Sequence, residues 1–79
     1  MIDEAALKQV MGTVLGVPAT AIGPDASQDT LKSWDSLKHM NLVLALEQSF
    51  GVQIPDADAA DITSYALIKV VLEELKAAA

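Results

Sequence analysis

The segment Ser36–Phe50 constrains the fold most: fifteen residues reading SLKHMNLVLALEQSF. Leu37, Met40, Leu44 and Phe50 mark part of an expected buried face, and Leu42, Val43 and Leu46 widen it past half the circumference. A helix apolar over so much of its surface needs neighbours on several sides, so it is expected at the centre of the molecule. Its limits are written in the sequence as well. Asp35 can cap the first turn, Gly51 can supply the left-handed residue that stops the helix, and Val52 is the apolar residue a closing turn favours.

The remaining segments supply those neighbours. Asp3 can cap a first helix that runs to Leu15, with Glu4 near the positive end of its dipole. Leu7, Val10, Met11, Val14 and Leu15 fall on one helical face, and Gly16 followed by Pro18 ends it. Val17–Asp35 then reads as a long connection rich in turn formers, pinned to the core by Ile22 and Leu31. Loops of this length are uncommon in small domains and are functional or disordered. After Ile54-Pro55, Asp56–Asp61 offers about one helical turn, anchored by Ile62. Ser64 can cap a last helix over Tyr65–Ala78, whose expected inner face is Leu67, Ile68, Val71, Leu72 and Leu75. The expectation is an all-α, small four-helix bundle of three longer helices and one short one, with a long first loop and residues 1–79 as one domain.

Composition excludes several functions. With no cysteine there is no disulfide framework, no thiolate nucleophile, and with one histidine no Cys/His zinc site. Five Lys and Arg against eleven Asp and Glu leave a net charge of -6. That balance is wrong for binding nucleic acid, whose affinity comes mostly from cations neutralising phosphates, and suits a basic protein partner. At 52% hydrophobic residues the chain is too apolar for disorder. No apolar run approaches the roughly 18–20 residues of a membrane span. Met-Ile-Asp-Glu lacks the basic start of a secretory signal, so the expectation is a cytoplasmic monomer with little room for a deep catalytic cavity.

Chemistry concentrates in Trp34-Asp35-Ser36-Leu37, at the junction of the long loop and the second helix. Ser36 projects from a helix N-terminus, where unpaired N–H groups and the positive dipole end favour a phosphate. Asp35 can cap that helix or help hold Mg²⁺ during phosphoryl-type transfer. By itself the pair is also what an ordinary helix start looks like. His39 lies three residues on, beside Ser36, and is expected on the surface. A Ser36–His39–Asp35 hydrolase would need a shaped cleft and oxyanion donors that so small a chain can hardly build. Asp56, Asp58 and Asp61 fail the calcium-loop pattern, which wants Gly at its sixth and Glu at its twelfth position where this chain has Asp61 and Leu67; no metal site is expected. Trp34 either contacts a group on Ser36 or a partner, or seals the loop against the bundle. Met11 and Met40 read most simply as core filler, with the lining of an apolar pocket as the alternative.

These residues, in this order, resemble the acyl carrier proteins in the broad sense that includes peptidyl and D-alanyl carriers. The likeness rests on Asp35-Ser36-Leu37, on Ala45-Leu46-Glu47 through Phe50-Gly51-Val52-Gln53-Ile54-Pro55, and on Ile62-Thr63-Ser64 before the last helix. Leu15-Gly16-Val17 and Ala26-Ser27 add to it, so that it covers essentially the whole chain. The resemblance implies 4′-phosphopantetheine attached at Ser36 by a phosphopantetheinyl transferase, using coenzyme A. It also implies a thiol that arrives with the arm and holds acyl groups as thioesters, and a protein that catalyses nothing itself. Asp35 would flank the modification, with Trp34 and Leu37 beside the arm. Lys38, Met40, Asn41 and Glu47 would form the docking surface for an acyl-loading ligase or acyltransferase and for downstream synthase enzymes.

The chain also departs from the family pattern. Carriers serving fatty-acid synthesis have a strongly acidic second helix, whereas Lys38, His39, Asn41 and Gln48 stand at exposed positions here. Ser33 and Trp34 replace the Gly and small residue of many carriers, which looks like stand-alone bacterial carriers of specialised pathways. Two alternatives stay open: an aminoacyl or peptidyl carrier loaded by an adenylating ligase, and an unmodified helical interaction module with a carrier-like fold.

Overall fold

The computed structural model describes residues 2–78, except for the side chain of Ala78. Among them are four α-helices: α1 (Glu4–Leu15), α2 (Ser36–Phe50), α3 (Asp56–Asp61) and α4 (Tyr65–Ala78). One 3₁₀ turn, Ala19–Ala21, interrupts the long first connection. The architecture is the expected all-α bundle.

The helix limits follow the local chemistry. The Asp3 carboxylate accepts from the N–H groups of Ala5 and Ala6, and Asp35 accepts from Lys38 N–H at 2.8 Å. Ser64 Oγ accepts from Leu67 N–H at 3.2 Å. Each satisfies a first-turn donor that would otherwise lack an intrahelical partner. At the end of α2, Gly51 adopts φ 65° and Val52 N–H turns back to the Glu47 carbonyl at 3.2 Å. That closing turn needs the left-handed conformation, which glycine reaches without Cβ strain.

The core is built from Leu7, Met11 and Leu15 of α1, Leu42 and Leu46 of α2, Ile62 before α4, and Ile68 and Leu72 within it, with Ala59 of α3 packed against it. The inward face of α2 is the expected one only in part. Leu37, Met40 and Leu44 are 68%, 66% and 57% exposed, while Leu42 and Leu46 are fully buried and Val43 and Phe50 pack partly against the core. Leu67 of α4 likewise turns out to solvent. A helix apolar over more than half its circumference offers more than one self-consistent face, and tertiary packing chooses among them. Met11 is core filler as expected, whereas Met40 lies outside the core.

The long connection is ordered by its own bonds. Ile22 and Ala26 are buried and Leu31 packs partly on the core. Ser27 and Thr30 exchange side-chain to backbone bonds in both directions, at 2.8 and 3.3 Å. The loop is then stitched to the α3–α4 link by an isolated antiparallel bridge between Ser27 and Ser64. There Tyr65 N–H meets the Ala26 carbonyl at 2.8 Å and Gln28 N–H meets that of Thr63 at 3.0 Å.

Two contacts lie outside what periodicity can reveal. Gly12, inside α1, faces the chain as it leaves that helix; a Cβ there would sit 2.6 Å from the Val17 carbonyl oxygen. Gly12→Ala should therefore lower stability by about 1–2 kcal/mol, backbone overpacking outweighing the gain of about 1 kcal/mol in helix propensity. A raised denaturant midpoint would show that the loop yields.

The second contact joins α1 to α4. Tyr65 donates its hydroxyl to Glu4 Oε1 at 2.7 Å, and Lys69 Nζ lies 3.2 Å from Glu4 Oε2. Burial, and then the Glu4 carboxylate, pushes the Tyr65 pKa up to about 12 from about 10. The stability this gives is fully present below the unfolded value and is lost as pH rises through the folded one. The parent should weaken between about pH 10 and 12. Tyr65→Phe should lack that component of the decline, measured by urea unfolding across this range; an unchanged profile would remove the contact from the stability of the fold. Glu4 responds in the opposite sense. The Tyr65 hydroxyl bond, and then Lys69, hold its carboxyl below its ordinary value of 4.5, so its contribution fades as pH falls through the lowered value.

Candidate functional site

The site is built where the ordered loop meets α2. Asp35 is the N-cap, so Ser36 is the first helical residue and its side chain stands exposed at the helix start. Among the described residues its hydroxyl has no protein hydrogen-bond partner, and the N–H groups of Ser36 and Leu37 are spared by the cap, which takes Lys38 N–H. An exposed primary hydroxyl, free N–H groups and the positive end of a helix dipole together accommodate a phosphate ester. Leu37 stands exposed beside it.

A shallow apolar groove of about 340 Å³ opens along the same side of α2. It is lined by His39, Met40, Val43 and Leu44 from α2 and by Asp56, Ala59 and Ala60 from α3. Met40 is one helical turn beyond Ser36, so the groove begins next to the serine. Its volume is at the low end of ligand pockets.

Several expected site residues have other tasks. Trp34 is only 2% exposed: its indole closes the loop on the bundle and offers no free face to a group on Ser36. Of its two candidate roles, sealing is the one the burial supports. His39 is half-buried rather than a surface histidine. It stacks on Trp34 with ring centroids 6.0 Å apart, accepts at Nδ1 from the indole N–H at 3.0 Å, and has Nε2 2.7 Å from the Ala59 carbonyl. Both ring nitrogens are engaged, so none is free to take a proton from Ser36, and the Asp35 carboxylate bonds the backbone instead of orienting an imidazole. The serine-hydrolase arrangement fails on geometry. Glu47, expected to dock partners, is turned inward, its Oε2 accepting from Ile54 N–H at 2.7 Å and bracing the α2–α3 turn. The Lys38 ammonium is 3.5 Å from the Val14 carbonyl, at the negative end of α1. Met40 and Asn41 are exposed. Among the described residues no three carboxylate or histidine side chains are placed to hold a metal ion, the Asp56–Asp61 turn included.

The described residues thus form an all-α bundle that presents an exposed serine at the start of α2. Comparison with known proteins identifies the family. The family described as "Phosphopantetheine attachment site" matches residues 5–71. The chain belongs to that family, the acyl carrier proteins in the broad sense, whose covalently attached cofactor is 4′-phosphopantetheine. The fold is similar to the solution structure of a holo acyl carrier protein from Geobacter metallireducens. That match has a TM-score of 0.84 and 21% identity over 98% of this chain and 88% of the other. The start of α2 fits such a group, since Ser36 is exposed, its hydroxyl has no protein partner among the described residues, and Asp35 Oδ1 is engaged by Lys38 N–H. Among the described residues no helix is long and apolar enough to cross a membrane.

Proposed function

We propose that the protein is a cytoplasmic, monomeric, non-catalytic acyl carrier whose arm is attached at Ser36. The observation that carries this reading is the pairing of an exposed, unbonded Ser36 at the start of α2 with an apolar groove that begins one turn away. The arm supplies a terminal thiol that holds an acyl group as an activated thioester, and tethering raises the effective concentration of that group at partner sites. The groove lining is mostly apolar, with Met40, Val43, Leu44, Ala59 and Ala60 beside the polar His39 and Asp56, which supports an apolar acyl chain as cargo.

Partner enzymes dock on the outward stripe of α2. Leu37, Met40, Asn41 and Leu44 recur at i, i+3, i+4 and i+7 on the flank of Ser36, with Leu37, Met40 and Leu44 its exposed apolar members. Exposed apolar residues gathered on one face mark interaction surfaces. The partners are a phosphopantetheinyl transferase, an acyl-loading ligase or acyltransferase, and downstream synthase enzymes. Asp35 presents the serine by fixing the helix start, and Lys38 adds positive charge at the edge of the surface.

Intact mass tests the reading. After incubation with coenzyme A, Mg²⁺ and a broad-specificity phosphopantetheinyl transferase, the folded protein should gain one phosphopantetheine group. No gain with several transferases would favour an unmodified interaction module.

A further inference from the structure

The far wall of the groove is weakly held by its own residues. Helix α3 is six residues long, and its cap position is Pro55, which provides no side-chain bond to the first turn. So short a helix depends on tertiary contacts. One reaches it across the groove from α2, where His39 Nε2 lies 2.7 Å from the Ala59 carbonyl. A carbonyl can only accept, so Nε2 carries the proton. At the other edge of the ring the Trp34 indole N–H can only donate, so Nδ1 is the bare acceptor. Both bonds demand the same neutral tautomer, and donation at one nitrogen strengthens acceptance at the other. Trp34 is fixed in the core two residues before Ser36. A continuous chain of contacts thus runs from the base of the Ser36 turn, through the imidazole, to the opposite wall of the groove.

We propose that His39 is a positioning residue, a latch that holds α3 against α2 and so keeps an apolar chain tethered at Ser36 covered in the groove. The cargo half of this proposal rests on the carrier reading above; the latch half does not. A packing role alone would ask only for a flat ring on Trp34, which phenylalanine supplies. The latch asks for a donor aimed at Ala59, which the terminal amide of glutamine supplies and the shorter asparagine cannot extend far enough to give.

The test begins on the unmodified protein. Long-range nitrogen–proton NMR should find the His39 ring protonated at Nε2. Amide exchange across Ala59–Asp61 should rise roughly three- to tenfold in His39→Phe, the range for loss of one hydrogen bond, and return toward the parent rate in His39→Gln. An Nδ1-protonated ring, or parent-like exchange in His39→Phe, overturns the latch. Should His39→Phe not fold, His39→Asn against His39→Gln decides: faster α3 exchange in the Asn variant supports the latch, and equal rates overturn it. For the cargo half, each protein is loaded from hexanoyl-coenzyme A and the thioester is cleaved with hydroxylamine. Cleavage should quicken by a similar factor in the Phe or Asn variant and stay near the parent rate in the Gln variant. Equal rates in proteins shown by mass to be loaded overturn the cargo half. A parent that gains no arm overturns the carrier reading and the cargo half with it, while the exchange rates decide the latch independently.

Discussion

Ser36→Ala is expected to fold like the parent and to gain no mass in the transferase reaction that adds one phosphopantetheine group to the parent. The fold should survive because Ser36 does no structural work: its side chain is exposed, its hydroxyl has no protein partner among the described residues, and Asp35 provides the cap. Alanine is also well tolerated in a helix, so the change in stability should stay within about 0.5 kcal/mol. The loss of loading should be complete, since the phosphodiester needs that oxygen. Asp35→Ala makes an informative companion. It keeps the hydroxyl but removes the 2.8 Å bond to Lys38 N–H, at a cost of about 1 kcal/mol to the helix start. It should slow loading by disordering the presentation of Ser36 rather than abolish it. A loaded Ser36→Ala protein would move the attachment point elsewhere and sink the assignment.

What the sequence revealed divides along the range of the interactions concerned. Helix limits were legible because caps and stops act within a few residues: Asp3, Asp35, Ser64 and Gly51 all take the roles their chemistry prescribes. The place of Ser36 at the start of α2 was legible for the same reason, being defined by the cap beside it. The division of the apolar residues of α2 between core and surface was not. Leu37, Met40 and Leu44 satisfy helical spacing as well as Leu42 and Leu46 do, and only the neighbours that pack on α2 separate the two sets. The exposed set is the candidate docking stripe, where the family resemblance had already put Met40 and Asn41 while helical spacing put Met40 in the core.

The rest of the site depends on contacts that no local pattern encodes. Glu47 looks like a surface acid on a helical wheel, yet it reaches seven residues forward to Ile54 N–H. His39 looks like a surface histidine, yet it meets Ala59 across twenty positions of sequence. Gly12 reads as a flaw in a helix until the Val17 carbonyl is seen beside it. Paired signals did exist for one of these, since Trp34 and His39 are the only tryptophan and the only histidine and stand five apart, flanking the start of α2. Spacing alone could not say that their rings stack.

Trp34→Ala should destabilise the protein more than Gly12→Ala, Tyr65→Phe or Asp35→Ala. The indole is 2% exposed and belongs to the same buried cluster as Leu42 and Leu46. Truncating so large a core side chain costs about 3–5 kcal/mol. A chain of this length has only about 4–12 kcal/mol of total stability, so the variant should lose a large share of it and unfold at a much lower urea concentration. Trp34→Phe separates the two parts of the effect: it refills much of the volume but leaves His39 Nδ1 without its donor, for a smaller loss of about 1–2 kcal/mol. Trp34 is the sole tryptophan, so its variants must be followed by far-ultraviolet circular dichroism in urea rather than by indole fluorescence. If Trp34→Ala unfolds within about 1 kcal/mol of the parent, the indole does not hold the Ser36 loop on the bundle. If it unfolds far earlier while Ser36→Ala does not, the two neighbouring residues divide the junction between them, one holding the loop in place and the other left free for chemistry.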